Sequence, residues 1–515
     1  MTKIGIDVGG TNTDAVLLED TAVLAAVKTP TTQDVTGGIK AALDRLLAQS
    51  GADPAHVDSV MIGTTHFTNA VVQRRSLARI AAVRIGLPAS ASLPPFCDWP
   101  EDLATLVDGG HHMIRGGHEY DGRPIVPFDA GAMREAAKKI RDSGVGSVAI
   151  SAVFSPLTAQ AEEEAAAIMA EIAPHVAVTL SHELGRLGLL ERENVTLLNA
   201  ALLGLAATTT EAFVRALAQS GISAPLFLTQ NDGTIVNAAY AARFPVYSFA
   251  SGPTNSMRGA NFLSSLENAM VADVGGTTTD VGCLRHGFPR EANNVVDIGG
   301  VRTNFRMPDV LSIGLGGGSL VAKEPLAVGP LSVGYELTER ALVFGGDILT
   351  ATDLAVAAGR IALGDTARVA DLDPALVKQA LAQVGEMIAV AVDRMKPDAS
   401  SIPLIAVGGG AFLIPDRLPG ISEVVKVPHS DVANAVGAAI AQISGEVDQI
   451  FHDLNREDAI ARARAGAEQK AIAAGADPAS LKVVEVEDLP LSYLPGNALR
   501  TRVRVVGDVA PAIRG

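Results

Sequence analysis

Asp7-Val8-Gly9-Gly10-Thr11-Asn12-Thr13-Asp14 returns 266 residues later as Asp273-Val274-Gly275-Gly276-Thr277-Thr278-Thr279-Asp280, with seven of the eight positions unchanged. Each copy follows a short apolar run, residues 3–6 and 269–272, and leads into another, residues 15–18 and 281–284. Apolar run, Gly-Gly, apolar run reads as strand, turn, strand: a hairpin with glycine and threonine at its tip. A chain that repeats one hairpin is expected to contain two related lobes.

The tip has a chemistry of its own. Glycine lets backbone N–H groups face an anion with no side chain in the way. Gly9, Gly10, Thr11, Asn12 and Thr13 in the first copy, and Gly275, Gly276, Thr277 and Thr278 in the second, are therefore candidate phosphate-binding residues. Asp7 and Asp273 sit at strand ends, where a carboxylate can hold Mg²⁺ directly or through water. Two such turns facing each other would make a two-lobed phosphate clamp. Asp14 and Asp280 are expected to brace the hairpins.

Around the repeats the pattern alternates between α and β. Residues 35–50, 130–143 and 159–173 have helical apolar spacing, residues 57–63, 148–154 and 176–180 read as strands, and a long helix is predicted over 191–220. A strand at 403–407 runs into Gly408-Gly409-Gly410. Residues 432–445 read as a small-residue helix and 447–475 as a charged helical segment, followed by strands at 481–487 and 500–507. The stretch near 95–127, rich in Gly, Pro and His, is expected to be an irregular insertion. The expected division is an N-terminal lobe at 1–190, a second lobe at 191–445 and a small C-terminal α+β unit at 446–515.

Composition narrows the partners. The chain has 515 residues, enough for two large lobes. Lys plus Arg total 41 against 57 Asp plus Glu, a net charge of −16, which argues against nucleic acid as a bulk partner. The longest uncharged, apolar-leaning stretch, 194–210, contains two Asn and several Thr, so a buried helix is expected there and no membrane span. Met1 to Asp7 runs directly into a strand with no signal-peptide pattern, and Cys97 and Cys283 are read as reduced thiols. The expectation is a soluble, cytoplasmic protein.

The double hairpin resembles the actin-like (ribonuclease H-like) ATPase superfamily, which implies ATP and Mg²⁺ between two lobes and assigns Gly408, Gly409 and Gly410 to the adenosine. Further motifs resemble the hydantoinase/oxoprolinase family, A-type subunit, in a short subtype. They are Gly63-Thr64-Thr65-His66-Phe67-Thr68-Asn69-Ala70, Ser181-His182-Glu183, Glu191-Arg192, Gln230-Asn231-Asp232-Gly233, Ser251-Gly252-Pro253, Ile313-Gly314-Leu315-Gly316-Gly317-Gly318-Ser319 and Asn434-Ala435. The match runs in order over residues 3–445. It departs at 328–335, Val-Gly-Pro-Leu-Ser-Val-Gly-Tyr, where the family's usual cysteine-containing segment is absent.

The resemblance implies an ATP-dependent hydrolase of a cyclic amide or imide, acting by phosphorylation of the ring carbonyl oxygen. It implies Asp7 and Asp273 as catalytic and metal-holding residues. Thr64, Thr65, His66, Asn69, Gly316, Gly317 and Gly318 are implied near the substrate. A B-type partner subunit and a homo- or hetero-oligomer are implied as well. The same clamp also serves chaperone-like or reactivating ATPases, small-molecule kinases and ATP-dependent carboxylase subunits. Two weaker candidates stand apart: His111, His112 and His118 with Glu119 and Asp121 as a metal cluster, and Arg74-Arg75 as an anion contact.

Overall fold

The structure is a computed structural model that describes residues 1–9, 12–31, 34–292, 296–304, 306–491 and 498–511. Both repeats are hairpins. Strands Thr2–Val8 and Asn12–Glu19 pair antiparallel with Asp7 opposite Asp14, and strands Ala269–Val274 and Thr279–Arg285 pair with Asp273 opposite Asp280. Each first strand takes a parallel neighbour on its other side, Ser59–Thr64 in one lobe and Ile402–Val407 in the other. The expected two-lobed α/β architecture is present, one sheet to each hairpin.

The first sheet is larger than the expected first lobe. Its nine strands run in the order 482–490, 499–507, 442–451, 234–237, 226–229, 59–64, 2–8, 12–19, 22–30. Sheet pairing therefore crosses the expected divides at 190 and 446. Strands Leu226–Thr229 and Thr234–Asn237 belong to the first lobe, and the tail extends the same sheet instead of forming a separate unit. The helix expected over 432–445 stops at Ala439, and Gln442–Phe451 is a strand. Small residues there had read as helical. Gly445 is small because a Cβ would press on the backbone of Ala467, in the helix Arg456–Ala473 packed across that strand.

The segment near 95–127 is also more regular than expected. Glu101–Val107 is a helix and Asp108–Arg115 a strand. That strand is the edge of a parallel four-stranded sheet in the order 108–115, 80–87, 147–152, 177–180. This edge strand is paired on one side only and is largely exposed or half-buried, so Gly and His residues stand where an apolar pattern would show. Cys97 and Cys283 are unbridged.

The helices follow their sequence signals. Asp34 caps Val35–Ser50 by accepting from the backbone of Thr36 and Gly37, and Gly51 ends it at φ 68. Leu189–Gln219 is long and apolar enough to cross a membrane by length and composition, as is Pro374–Met395. The first of these packs Val195, Leu198 and Leu202 into one core and Phe213, Ala216 and Leu217 into another.

Two helices link the lobes. Helix α1 (Ser251–Ser264) leads into the second hairpin, and α2 (Ala433–Ala439) leads back to the first sheet. They cross in backbone contact: a Cβ on Gly259 would overlap Ala433 O, and one on Gly437 would overlap Asn255 O. Helix α2 also lies on the first strand, where a Cβ on Gly5 would overlap Ala435 O. Packing this tight admits only glycine. Gly437→Ala is expected to cost about 3 kcal/mol or more by overpacking. Gly204→Ala, in a helix where nothing lies within 4 Å of the new methyl, should gain up to ~1 kcal/mol. Urea unfolding of the two variants checks this, and equal midpoints would refute the lock.

Candidate active site

The site is built at the carboxyl ends of the central strands, where parallel sheets open their crevices. In the first lobe Asp7 lies beside Gly63 in the neighbouring strand, and Val8 beside Thr64. In the second, Asp273 lies beside Val407, just before the glycine turn. Both turns close in the same way: Gly9 N donates to Asn12 O at 3.0 Å and Gly275 N to Thr278 O at 2.8 Å. Gly10 and Thr11, predicted to bind phosphate, lie outside the described residues.

Glycine next to each carboxylate is a steric requirement. A Cβ on Gly63 would sit 2.7 Å from Asp7 Oδ1, and one on Gly408 would overlap Asp273 Oδ1. Gly408 has φ +87, Gly410 N donates to Val274 O at 2.7 Å, and nothing crowds Gly409. The glycine turn thus wraps the base of the second hairpin.

The acids crowd one another. Burial, and then the neighbouring Asp14, push the Asp7 carboxyl up to about 7. The Asn434 amide and Lys28 pull the other way, and Asp273 adds repulsion from the opposite lobe. Burial also raises Asp273, against the Ser256 hydroxyl, and raises Asp14 against Lys28, whose Nζ lies 2.7 Å from that carboxylate. Asp280 is pushed up to about 6 by burial, although Ser312 donates to it. Asp14 and Asp280 thus face Lys28 and Ser312, partners within their own lobes.

Asp7 Oδ1 is buried and has no hydrogen-bond partner among the described residues. That orphaned oxygen fits a hard cation held by one or two carboxylates, water and phosphate, the habit of Mg²⁺. Among the described residues no group of three or more His, Cys, Asp or Glu side chains could hold a metal by itself. The His111, His112 and His118 cluster is therefore not a metal site there, and Arg74 pairs with Asp102 at 2.9 Å.

The remaining candidates divide. Thr277 and Thr278 are exposed at the second tip and Asn12 is partly exposed at the first, so their donors are accessible. Thr13 is buried and its hydroxyl meets Thr31 at 3.3 Å, so it braces the hairpin. Thr64 is buried too. Its hydroxyl bonds His66 Nδ1 and its backbone bonds the Ser251 hydroxyl, which leaves the partly exposed His66 ring as the accessible group. Asn69 Nδ2 donates to Thr65 Oγ1 at 3.3 Å.

Gly316, Gly317 and Gly318 lie on the other lobe. Gly317 N donates to Gly275 O at 3.0 Å and Gly318 N to Gly276 O at 2.8 Å, while a Cβ on Gly316 would sit 2.6 Å from Thr277 N. They pack backbone on backbone against the second hairpin. Ser181, His182 and Arg192 form a brace around buried Glu162: Ser181 and His182 bond its carboxylate at 2.6 and 2.7 Å, and Arg192 Nε donates to Ser181 Oγ at 2.9 Å.

Sequence reasoning missed four features. Lys28 neutralises Asp14 from the third strand, where the register puts it opposite; the alternation of that strand was the available signal. Asn434, noted only as part of a motif, donates to Asp7 Oδ2 at 2.9 Å. Ser256 donates to Asp273 Oδ2. A cavity of about 540 Å³, lined by Ala357, Arg360, Val377, Lys378, Leu381 and Pro415 among others, lies at the helices Ala351–Ala357 and Pro374–Met395. Arg360 on its lining donates to Leu413 O at 3.0 Å, at the end of the short helix Ala411–Leu413 that follows the glycine turn.

Comparison with known proteins adds a lineage. The profile of the hydantoinase/oxoprolinase N-terminal region matches residues 3–173, and that of hydantoinase/oxoprolinase matches residues 192–399. The caprolactamase subunit alpha of Pseudomonas jessenii is 26% identical over 396 residues, 70% of this chain and 55% of that protein. The acetophenone carboxylase gamma subunit of Aromatoleum aromaticum is 26% identical over 396 residues, 70% of this chain and 53% of that protein. The chain thus spans little more than half the length of these relatives. The crystal structure of the ATP-dependent caprolactamase from Pseudomonas jessenii superposes with a TM-score of 0.80 at 20% identity, covering 98% of this chain and 87% of that one.

The crowding has a measurable sign. With Asp7 at about 7 in the fold and 3.8 ordinarily, the native state holds the extra proton between those values. Stability is therefore lost as pH rises from about 4 through 7. Asp7→Asn removes that loss, so in EDTA its gain in melting temperature should be larger at pH 8 than at pH 5. An equal change at both would refute the assignment.

Proposed function

We infer from one premise, that this chain belongs to the hydantoinase/oxoprolinase family, that it carries out ATP-dependent hydrolysis of a cyclic amide or imide of the hydantoin or 5-oxoproline kind. The observation that carries the reading is the pair of matched hairpins, which bring one carboxylate from each lobe close enough for Asp273 to repel Asp7, each beside a glycine whose Cβ would meet it. A hinge of two lobes over one phosphate chain needs such a pair.

A ring amide is a poor electrophile. Phosphorylation of its carbonyl oxygen, with ADP as the leaving group, makes the ring carbon a strong electrophile. Water adds there, the ring C–N bond breaks with the nitrogen leaving as amine, and a second water hydrolyses the resulting acyl phosphate to carboxylate and phosphate. Bound Mg²⁺-ATP would supply the phosphoryl group and neutralise the charge that develops on it. The residues of this chain do the holding. Gly9 and Gly275 close the two turns with their amides, and the Gly276 amide, with Asn12, Thr277 and Thr278, binds phosphate oxygens. Asp7 Oδ1 would hold the cation or its water, and Asp273 Oδ1 would serve as base or second cation contact; the two roles can exchange. His66, held by Thr64, and Asn69 orient the ring from the first lobe. The glycine turn and the cavity at Arg360 and Lys378 hold the adenosine.

A B-type partner fits this reading, since the two relatives are named as subunits of larger enzymes. A second reading is an ATP-dependent carboxylase subunit that activates a ketone, favoured by the equal identity to the acetophenone carboxylase gamma subunit.

The test is ADP release with hydantoin, 5-oxoproline, larger lactams and simple ketones, with and without the partner subunit. Stimulation by one ring, with a ring-opened product by mass, is the expected result. Stimulation by a ketone with bicarbonate would favour the carboxylase. Turnover indifferent to every small molecule would overturn both in favour of a chaperone-like ATPase, and a stable phosphorylated product would mark a kinase. Separately, Arg360→Ala should weaken Mg²⁺-ADP binding by about tenfold, as loss of a charged contact does. Unchanged calorimetric affinity would move the adenosine elsewhere.

A further inference from the structure

We propose that Ser256 on α1 and Asn434 on α2 are positioning residues that aim the two carboxylates as a pair. This rests on the reading of Asp7 and Asp273 as the working acids. A carboxylate on a strand can rotate about its last bond, and two acids repelling across a cleft would turn away from each other unless held. In each lobe one oxygen is held. Asn434 Nδ2 donates to Asp7 Oδ2 at 2.9 Å, and Ser256 Oγ donates to Asp273 Oδ2. The other oxygen of each faces its glycine cradle, Oδ1 of Asp7 against Gly63 and Oδ1 of Asp273 against Gly408.

The holders are unlike each other, an amide and a hydroxyl, yet they do the same task in both lobes. They are also fixed themselves. Asn434 Oδ1 accepts from the Ala435 amide at 2.9 Å, which sets the amide orientation, and Ser256 is buried. Most of all, they stand on the two helices that cross in backbone contact at Gly259 and Gly437. Asp7 and Asp273 belong to different sheets, but their holders belong to one rigid unit. A shift of either helix therefore re-aims both acids together. The same unit reaches the first-lobe loop, because Ser251 at the start of α1 bonds both the amide and the carbonyl of Thr64.

The experiment uses the full chain, with its partner subunit if turnover needs one. Asn434→Ala and Ser256→Ala should each lower the kcat of ATP turnover by about 10- to 100-fold, as loss of a residue orienting a ligand-bearing carboxylate does, with KM for ATP within about threefold. Ser256→Thr, which keeps the hydroxyl, should recover most of that loss. A readout apart from activity is calorimetry of ADP with Mg²⁺ and with EDTA. Asn434→Ala should reduce the Mg²⁺ enhancement of binding and leave the EDTA affinity unchanged. Melting curves separate this from unfolding, and if Asn434→Ala does not fold, the Ser256 pair decides. Turnover within twofold of the unmodified protein, with an unchanged Mg²⁺ enhancement, would overturn the positioning role alone. If Asp7→Asn and Asp273→Asn also leave turnover intact, the reading of the acids falls, and this inference with it.

Discussion

The contact on which the rest depends is the crossing of two helices without side chains between them. Gly259 of α1 lies on the backbone of Ala433, and Gly437 of α2 lies on the backbone of Asn255. Separated by even one methyl group, the helices would move apart, and with them Ser256, Asn434 and the two sheets they serve. Interiors are packed too densely to absorb such a change locally. The crossing also carries the chain between lobes, so one contact sets both how the lobes meet and how their acids point.

Against that rigid element the site is electrostatically uneasy. Asp7, Asp14, Asp273 and Asp280 are all pushed toward the protonated form, chiefly by burial. Lys28 is the cation that opposes this at Asp14. Strain of this kind persists only where the surroundings enforce it, and it marks sites that await a ligand of opposite charge. A divalent cation with its phosphates would relieve that repulsion. The crowding of the acids and their proposed role are thus two consequences of one arrangement.

The two hairpins show how one motif is adapted to two tasks. Thr13 and Thr279 occupy equivalent places and both are buried, bonding Thr31 and the Leu315 carbonyl. At the tips the copies differ in their surroundings. The second is backed by the strap Gly316 to Gly318 and by Ser332, whose hydroxyl bonds Gly276 O at 3.3 Å. The first is backed by the third strand through Thr29 and Thr31. The segment 328–335, which lacks the family's cysteine, meets the second tip through Ser332, and its Leu331 and Tyr335 are exposed.

Much was legible in the sequence because it is local. A repeated Gly-Gly turn between apolar runs specifies a hairpin through backbone freedom alone, and two copies specify two lobes. Helix Val35–Ser50 was legible from its apolar spacing. What failed was non-local. Residues 442–451 read as helix because small residues carry no period, and only pairing with strand Leu499–Gly507 made them a strand. The edge strand Asp108–Arg115 was hidden because only Ile114 on it is buried and no apolar alternation marks it. The sequence by itself determined the hairpins, the candidate acids and the glycines beside them. Only the tertiary structure decided that Thr13 and Thr64 brace the site, that Gly316 to Gly318 support the second tip, and that Asn434 and Ser256 hold the acids. The physical reason is that a hydrogen bond spanning 427 residues leaves no periodic trace; it exists only once two helices have packed.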